Sequence, residues 1–201
     1  VVIPEGPDTI DTVTRAGDEL IVLAMHDATH RLRRYGLDGE ALGEIGLPGL
    51  GSVTEVEGEA GQSPLYYGFE SFLQPTTQYV YDLDRGEGSV FFAPQLAYDP
   101  DDYVSEQVFY RSADGTRVPM FISHRKGLSR EQTHRTYLYA YGGFDLAQTP
   151  SFQVERLVWM ERGGIFALAN LRGGGEYGEA WHRAGTLQNK QNVFDDFIAA
   201  G

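Results

Sequence analysis

The stretch TYLYAYGGFDLAQTPSFQVERLVWMERGGIFALAN, residues 136–170, decides the fold of the second half of the chain. It holds two short apolar runs, at 136–140 and 165–170, whose lengths and flanking glycines predict buried strands. Between them, the apolar residues of 152–160 mostly follow the spacing of a helix. A strand, a helix and a strand in this order predict a βαβ unit, with two parallel strands and a right-handed connection.

The helix of this unit has signals at both ends. Pro150 and Ser151 predict its start, and the pair Gly163-Gly164 predicts its end. A second helix is predicted at 191–200, because its apolar residues share one face. These residues are Val193, Phe194, Phe197 and Ile198.

A hairpin is predicted upstream of the βαβ unit. Asp114-Gly115 separates two strand-like runs, 103–111 and 117–123, and Asp-Gly between two such runs is a strong hairpin signal. The hairpin, the βαβ unit and the second helix together predict that residues 99–201 form the beginning of an α/β sheet domain.

Residues 1–98 are predicted to consist of short strands. A weak repeat groups them: Tyr35, Leu37 and Asp38 recur as Tyr81, Leu83 and Asp84, at an offset of 46 positions. About four strands in each period are typical of β-propeller blades, and two blades do not close a ring. The predicted strands are 20–25, 31–37, 41–46, 52–57, 64–70, 75–83 and 88–93.

Composition narrows the function classes. The 201 residues include 29 acidic and 16 basic side chains, a formal charge of −13, which argues against a nucleic-acid partner. No apolar run approaches the length of about 18 residues that a membrane span needs. The absence of cysteine excludes a disulfide scaffold, a zinc-thiolate site and a cysteine nucleophile.

The two ends of the sequence suggest a piece of a longer protein. The chain begins Val1-Val2-Ile3-Pro4, without an initiator Met or a signal segment. It stops at Gly201, directly after the second predicted helix. We therefore expect the remainder of the same polypeptide as a partner.

The segment GGGEYG at 173–178 fits a dinucleotide-binding fingerprint, with Asp195 about twenty residues further on. Three features argue against that interpretation. Arg172 directly precedes the glycines, residues 179–185 lack a small apolar face, and the preceding strand is not the first of its sheet. We expect instead a turn whose glycines let the backbone pass close to another element.

Other charged residues also have simple interpretations. His26 and His30 are four residues apart but flank a strand end and a turn, so no metal site is expected there. Asp195 and Asp196 are interpreted as loop or capping charges rather than a catalytic acid/base pair.

Four segments resemble the prolyl oligopeptidase family of serine peptidases. They are YAYGGF at 139–144, NLRGGGEYGEAWH at 170–182, NKQNVFDDF at 189–197 and SADGTRVPMF at 112–121. The likeness is specific over most of 103–201 and weaker over 1–98. It implies the last blades of a β-propeller (1–98) followed by the start of an α/β-hydrolase domain (99–201), both incomplete.

The resemblance also implies an activity. Members of this family cleave short peptides after proline, using a Ser-Asp-His triad in the cavity between propeller and hydrolase domain. None of the nine serines of this chain lies in a G-x-S-x-G elbow, so the nucleophile is expected beyond Gly201. The implied partners are short proline-containing peptides, and no metal or organic cofactor is implied.

Two positions match residues with a role in that family. Tyr141 matches the tyrosine whose hydroxyl helps form the oxyanion hole, and Phe144 matches an aromatic residue that helps line the proline pocket. From the residues alone, Tyr141 is interpreted as a buried tyrosine at a strand end and Phe144 as a core aromatic.

Two alternatives stay open. The first is an oligopeptidase of the same fold with another specificity, such as cleavage after basic residues. That branch usually has Tyr-Gly-Ser-Tyr-Gly where this chain has Tyr141-Gly142-Gly143-Phe144, a difference that favours proline specificity. The second is a non-catalytic, propeller-type binding fragment, which the missing triad suggests.

Overall fold

A computed structural model of the chain describes residues 1–129 and 131–201. These residues form two compact units. The first comprises Val1–Leu96 together with Thr149–Phe152, and the second comprises Ala97–Gln148 and Gln153–Gly201.

The first unit contains two four-stranded antiparallel sheets in which each strand pairs with the next along the chain. This pattern confirms the predicted blade-sized units of four strands. The first sheet consists of β1 (Thr9–Ala16), β2 (Glu19–His26), β3 (Thr29–Gly36) and β4 (Ala41–Ile45). The second consists of β5 (Ser52–Gly58), β6 (Pro64–Glu70), β7 (Thr77–Asp82) and β8 (Glu87–Phe92).

The strand β1 lies where the sequence predicted none. Its residues TIDTVTRA give no buried apolar face, and most of them are exposed at the edge of the sheet. Pairing with the apolar strand β2, over Thr9–Ala16, holds this edge strand in place. Long-range pairing therefore overrides a weak local pattern.

One apolar core joins the two sheets of the first unit. Residues of β2 and β3 on the first sheet pack against residues of β6 and β7 on the second. The most deeply buried members are Ala16, Ile21, Leu32, Leu65 and Phe69.

The second unit is built on a mixed sheet with the order β11-β12-β10-β9. The strands are β9 (Tyr103–Arg111), β10 (Arg117–Arg125), β11 (Thr136–Ala140) and β12 (Ile165–Ala169). The predicted hairpin at Asp114-Gly115 joins β9 to β10. The predicted βαβ unit is also confirmed, because β11 and β12 are parallel and the helix α1 (Val154–Glu161) connects them.

Helix α1 begins later than the sequence predicted. The structure starts it at Val154, whereas Pro150 and Ser151 belong to the stretch Thr149–Phe152 of the first unit. The carbonyl of Pro150 accepts a hydrogen bond of 2.6 Å from the hydroxyl of Ser52, so this segment has a partner that competes with helix formation.

Two further helices follow β12. Helix α2 (Gly178–Arg183) was not predicted, since six residues are too few to show a helical pattern. Helix α3 (Gln191–Ala200) matches the predicted range. Among residues 1–129 and 131–201, none of the helices is long and apolar enough to cross a membrane.

Candidate active site

A strained turn follows the carboxyl end of the parallel strand β11. We call residues 141–146 the aromatic turn. Phe144 and Asp145 both have positive φ, 55° and 58°, and the amide of Leu146 donates to the carbonyl of Gly143 at 3.1 Å. Two consecutive positive φ angles at non-glycine residues cost free energy and occur mainly where the surrounding structure holds them.

Gly142 enters the turn with φ of 64°. A Cβ at this position would lie 2.7 Å from a methyl group of Val193 and 2.8 Å from Cβ of Leu171. No other residue type fits both the backbone angle and the space. The start of the turn is therefore packed against α3 and against the segment that follows β12.

The aromatic turn presents two rings to the surface of its unit. Phe144 is 83% exposed and Tyr141 is 42% exposed. Their ring centroids are 6.5 Å apart, and the ring planes are 28° from parallel. The interpretation of Phe144 as a core aromatic and of Tyr141 as a buried tyrosine is wrong, because both side chains are exposed on the turn that follows β11.

The glycine segment packs directly beneath the aromatic turn. We call residues 171–175 the glycine loop. A Cβ on Gly173 would lie 2.7 Å from the carbonyl oxygen of Gly142, and one on Gly175 would lie 2.5 Å from that of Asp145. The amide of Asp145 donates to the carbonyl of Gly173 at 3.2 Å. The glycines thus allow two backbones to touch, as the sequence predicted.

Two glycine amides of the glycine loop already have partners. The amide of Gly173 donates to the carbonyl of Trp181 at 3.0 Å, and that of Gly174 donates to the carbonyl of Leu171 at 3.4 Å. In a dinucleotide site, such amides point at phosphate oxygens. Here they close the loop onto α2 and onto itself.

Helix α2 supports both segments with two side chains. The Nδ1 atom of His182 lies 2.8 Å from the carbonyl oxygen of Gly173 and 3.1 Å from the amide of Asp145. The indole of Trp181 donates to the carbonyl of Leu171 at 3.1 Å. His182 therefore links the glycine loop to the aromatic turn.

A lysine also supports the turn, and sequence reasoning missed it. The Nζ atom of Lys190, at the start of α3, donates to the carbonyl of Gly142 at 2.9 Å. This carbonyl belongs to the residue directly after Tyr141. The ammonium group therefore holds the carbonyl of the peptide that joins Gly142 to Gly143.

A buried arginine holds the glycine loop to α3. Arg172 forms a two-point ion pair with Asp196, with its Nη2 2.6 Å from Oδ1 and its Nε 3.0 Å from Oδ2. Asp196 also accepts the backbone amide of Arg172 at 3.1 Å and is 0% exposed. Hydrogen bonds with Asp196 raise the pKa of Arg172 above its ordinary value.

The same arginine reaches the β9–β10 hairpin. Its Nη1 lies 2.5 Å from Oδ2 of Asp114, and this hydrogen bond lowers the pKa of the Asp114 carboxyl well below its usual range. The hydroxyl of Tyr110 donates to the carbonyl of Asp196 at 2.8 Å. The interpretation of Asp196 as a loop or capping charge is therefore wrong. Asp195 is partly exposed and accepts a hydrogen bond from Gln191.

Beneath the aromatic turn lies a second buried polar pair, Glu176 and Asn170. Oε1 of Glu176 accepts the amide of Gln148 at 2.9 Å, and the side-chain amide of Asn170 donates to the same oxygen at 3.2 Å. Burial raises the pKa of the Glu176 carboxyl. No charge pattern in the sequence separates this glutamate from an exposed one, so sequence reasoning missed it.

The two histidines of the first unit lie beside the turn of the β2–β3 hairpin. His26 is hydrogen-bonded to Asp8 at 2.7 Å. His30 accepts the amide of Val53 on Nδ1 at 2.8 Å, and its Nε2 lies 3.1 Å from Asp11. Each ring therefore has protein partners. Among the described residues there is no group of three or more His, Cys, Asp or Glu side chains placed to hold a metal ion.

The fold and the comparisons together define the class of protein. A profile described as "Prolyl oligopeptidase, N-terminal beta-propeller domain" matches residues 1–94, and one described as "Prolyl oligopeptidase family" matches residues 150–201. The chain consists of part of a β-propeller followed by the start of an α/β-hydrolase domain. It belongs to the prolyl oligopeptidase family.

Individual relatives extend this result. The chain is 46% identical over 189 residues to a prolyl endopeptidase of Elizabethkingia miricola, covering 94% of this chain and 27% of that protein. A solved structure from a study of two prolyl endopeptidases matches with a TM-score of 0.92 at 42% identity, covering 99% of this chain and 30% of that one.

A third relative has a peptide bound. Prolyl oligopeptidase B of Galerina marginata, solved with a 35mer hydrolysis and macrocyclization substrate, matches with a TM-score of 0.91 at 32% identity. The match covers 99% of this chain and 29% of that one. The chain thus spans less than a third of the length of the relatives it matches.

Proposed function

We propose that this chain is a segment of a serine endopeptidase that hydrolyses short peptides on the C-terminal side of proline. The domain boundary lies near residues 98 and 99, and the nucleophile belongs to the part of the polypeptide beyond Gly201. The observation that carries this proposal is the aromatic turn. It places an exposed tyrosine and an exposed phenylalanine on strained backbone at the carboxyl end of a parallel strand.

The position of the turn supports a catalytic role. In open α/β sheets, substrates bind beyond the carboxyl ends of the strands. Tyr141 follows the last residue of β11 there, and its neighbouring peptide is fixed by Lys190 and Gly173. In the proposed mechanism, a serine attacks the scissile carbonyl, a histidine acts as base, and the Tyr141 hydroxyl with a backbone N–H stabilises the oxyanion. These steps require no metal or organic cofactor.

Phe144 supplies the proposed specificity for proline. Its ring is exposed, and the left-handed φ of residue 144 fixes where the side chain leaves the backbone. A flat aromatic ring can contact the apolar ring of proline over a large area. Proline-containing peptides are therefore the proposed partners, in line with the peptide-bound relative from Galerina marginata.

Replacing Tyr141 by Phe in the full-length protein that contains this chain tests the proposal. The change removes one oxyanion donor and keeps the ring, so we expect kcat to fall on the order of 10²–10³-fold with a small change in KM. The measurement is steady-state hydrolysis of a short chromogenic peptide with proline before the scissile bond. Tyr137→Phe is the matched control, because Tyr137 is a similarly exposed tyrosine on β11.

The outcomes separate the alternatives. An unchanged kcat in Tyr141→Phe contradicts the role of this hydroxyl. Faster hydrolysis after lysine or arginine than after proline contradicts proline specificity and supports the other branch of the fold. Peptide binding without turnover by the full-length protein contradicts the enzyme and supports a binding module.

A further inference from the structure

The buried pair Glu176 and Asn170 holds a single residue of the segment that leaves the aromatic turn. Oε1 of Glu176 accepts the amide of Gln148 at 2.9 Å, and Nδ2 of Asn170 donates to the carbonyl of the same residue at 2.6 Å. Gln148 is four residues beyond Phe144. The pair therefore fixes both backbone polar groups of a residue that is close in sequence to Phe144.

The surroundings of Glu176 contain no charge that compensates a carboxylate. The residue is 2% exposed. Its hydrogen-bond donors are neutral N–H groups, namely the amide of Gln148 and the side-chain amide of Asn170. Within the part of the chain that the structure describes, no basic side chain forms an ion pair with Glu176. A buried carboxylate without a cation is unfavourable.

Titratable groups on the packed segments are Asp145 of the aromatic turn, Arg172 of the glycine loop, Tyr177 at the start of α2, and His182 of α2. The guanidinium of Arg172 is bound to Asp196 and Asp114. His182 contacts the backbone of Gly173 and Asp145 through Nδ1.

Two buried oxygens of the pair lack a donor when Glu176 is ionised. These are Oε2 of Glu176 and Oδ1 of Asn170. An ionised carboxylate and an amide oxygen are both acceptors, so neither can satisfy the other. A protonated carboxyl group has one O–H donor and one acceptor, which complements the acceptor and donor of an amide. Such an acid–amide pair is joined by two hydrogen bonds. One of them, from Nδ2 of Asn170 to Oε1 of Glu176, is present.

We propose that Glu176 is a positioning residue that works as a neutral carboxylic acid. Its Oε1 accepts from Gln148 and Asn170, and the proton on Oε2 is donated to Oδ1 of Asn170. The acid–amide pair thereby holds the segment after the aromatic turn and, through it, the ring of Phe144. The effect of Glu176 on catalysis rests on the proposed function. The protonation state of Glu176 is independent of that function.

Two variants of the full-length protein test the role in positioning. Glu176→Gln replaces the O–H donor by an N–H donor and keeps the acceptor, so we expect kcat/KM for a proline peptide within about twofold of wild type. Glu176→Ala removes both groups, and we expect a loss on the order of tenfold or more, mainly in KM. Equal losses in both variants would show that the negative charge is needed and would overturn the proposal.

Infrared spectroscopy tests the protonation state without any activity. The difference spectrum of wild type minus Glu176→Gln at neutral pH should contain the C=O stretching band of a protonated carboxylic acid. A carboxylate band in its place would overturn the proposal even if Glu176→Ala fails to fold. Absence of hydrolysis by the wild type contradicts the proposed function alone, since the infrared result would still report on Glu176.

Discussion

The contact between the aromatic turn and the glycine loop leaves no room for a Cβ atom at Gly173. A Cβ on Gly173 would lie 2.7 Å from the carbonyl oxygen of Gly142, and the φ of Gly173 is 95°. Both the backbone angle and the contact require glycine. Since Gly142 follows Tyr141, a shift of this carbonyl would move the proposed oxyanion donor.

Replacing Gly173 by Ala should therefore harm both stability and activity. The backbone angle alone costs about 1–3 kcal/mol. The additional clash should lower kcat/KM on the order of tenfold or more by displacing the turn. Thermal unfolding and steady-state kinetics of the full-length protein measure the two effects.

Gly115→Ala is the matched control for this change. Gly115 has φ of 85°, but a Cβ there would meet no atom within 4 Å. Gly115→Ala should lower stability through the unfavourable backbone angle but should leave the activity unchanged. Equal activity of the two variants would contradict the claim that contact between the two backbones positions Tyr141.

The raised pKa of Glu176 makes the folding stability of the protein depend on pH. The ordinary value is 4.5. Above that pH the unfolded chain loses the proton while the folded chain keeps it, so folding stability falls as pH rises toward the folded pKa. Each unit of pKa elevation corresponds to about 1.4 kcal/mol.

Denaturant unfolding of wild type and Glu176→Gln over a range of pH measures this effect. The variant should gain stability relative to wild type as pH rises above 4.5, and the difference should be constant below it. A difference that stays flat from pH 4.5 through neutral pH would mean that the folded-state pKa is ordinary.

At the scale of elements, Arg172 joins three of them. Its backbone belongs to the glycine loop, Asp196 lies in α3, and Asp114 lies in the β9–β10 hairpin. Because the pair with Asp196 is buried, removing one partner leaves the other desolvated without compensation. The ion pair therefore determines how α3 is held against the sheet.

Replacing Asp196 by Asn tests this link. Asp114 still faces the guanidinium, so we expect the lower end of the usual cost, about 3 kcal/mol of unfolding free energy. Asp195→Asn is the control, because Asp195 is a partly exposed neighbour on the same helix without an ion-pair partner among the described residues, and the change should alter stability by less than about 0.5 kcal/mol. Similar midpoints of denaturant unfolding for the two variants would argue against a stabilising role of the buried pair.

At the scale of the whole molecule, each of the two units exposes large apolar side chains. Patches of this kind mark surfaces that contact other protein segments. This observation supports the proposal that the chain is part of a longer polypeptide. Examples in the first unit are Val90, Phe91 and Phe92, and examples in the second are Phe194, Phe197 and Ile198.

The 201-residue chain by itself should hydrolyse no proline peptide. None of its nine serines lies in a nucleophile elbow, although it carries the proposed oxyanion donor. The measurement compares product release by equal concentrations of the chain and of the full-length protein. Turnover by the chain alone would show that its catalytic groups lie within residues 1–201.

The sequence by itself determined most elements of both units. The hairpin at Asp114-Gly115, the parallel strands β11 and β12, and the helix α3 were predictable because each depends on local periodicity and turn residues. The glycine segment was also interpreted correctly as a close backbone approach. In these cases the physical cause lies within a few neighbouring residues.

The tertiary structure decided the features that depend on distant partners. Asp196 is buried because Arg172, 24 residues away, binds it. Glu176 is buried against Asn170 and Gln148, and Phe144 is exposed on a turn with left-handed backbone. The sequence contains these residues but not their surroundings. Burial, protonation and exposure depend on which segments the fold brings together.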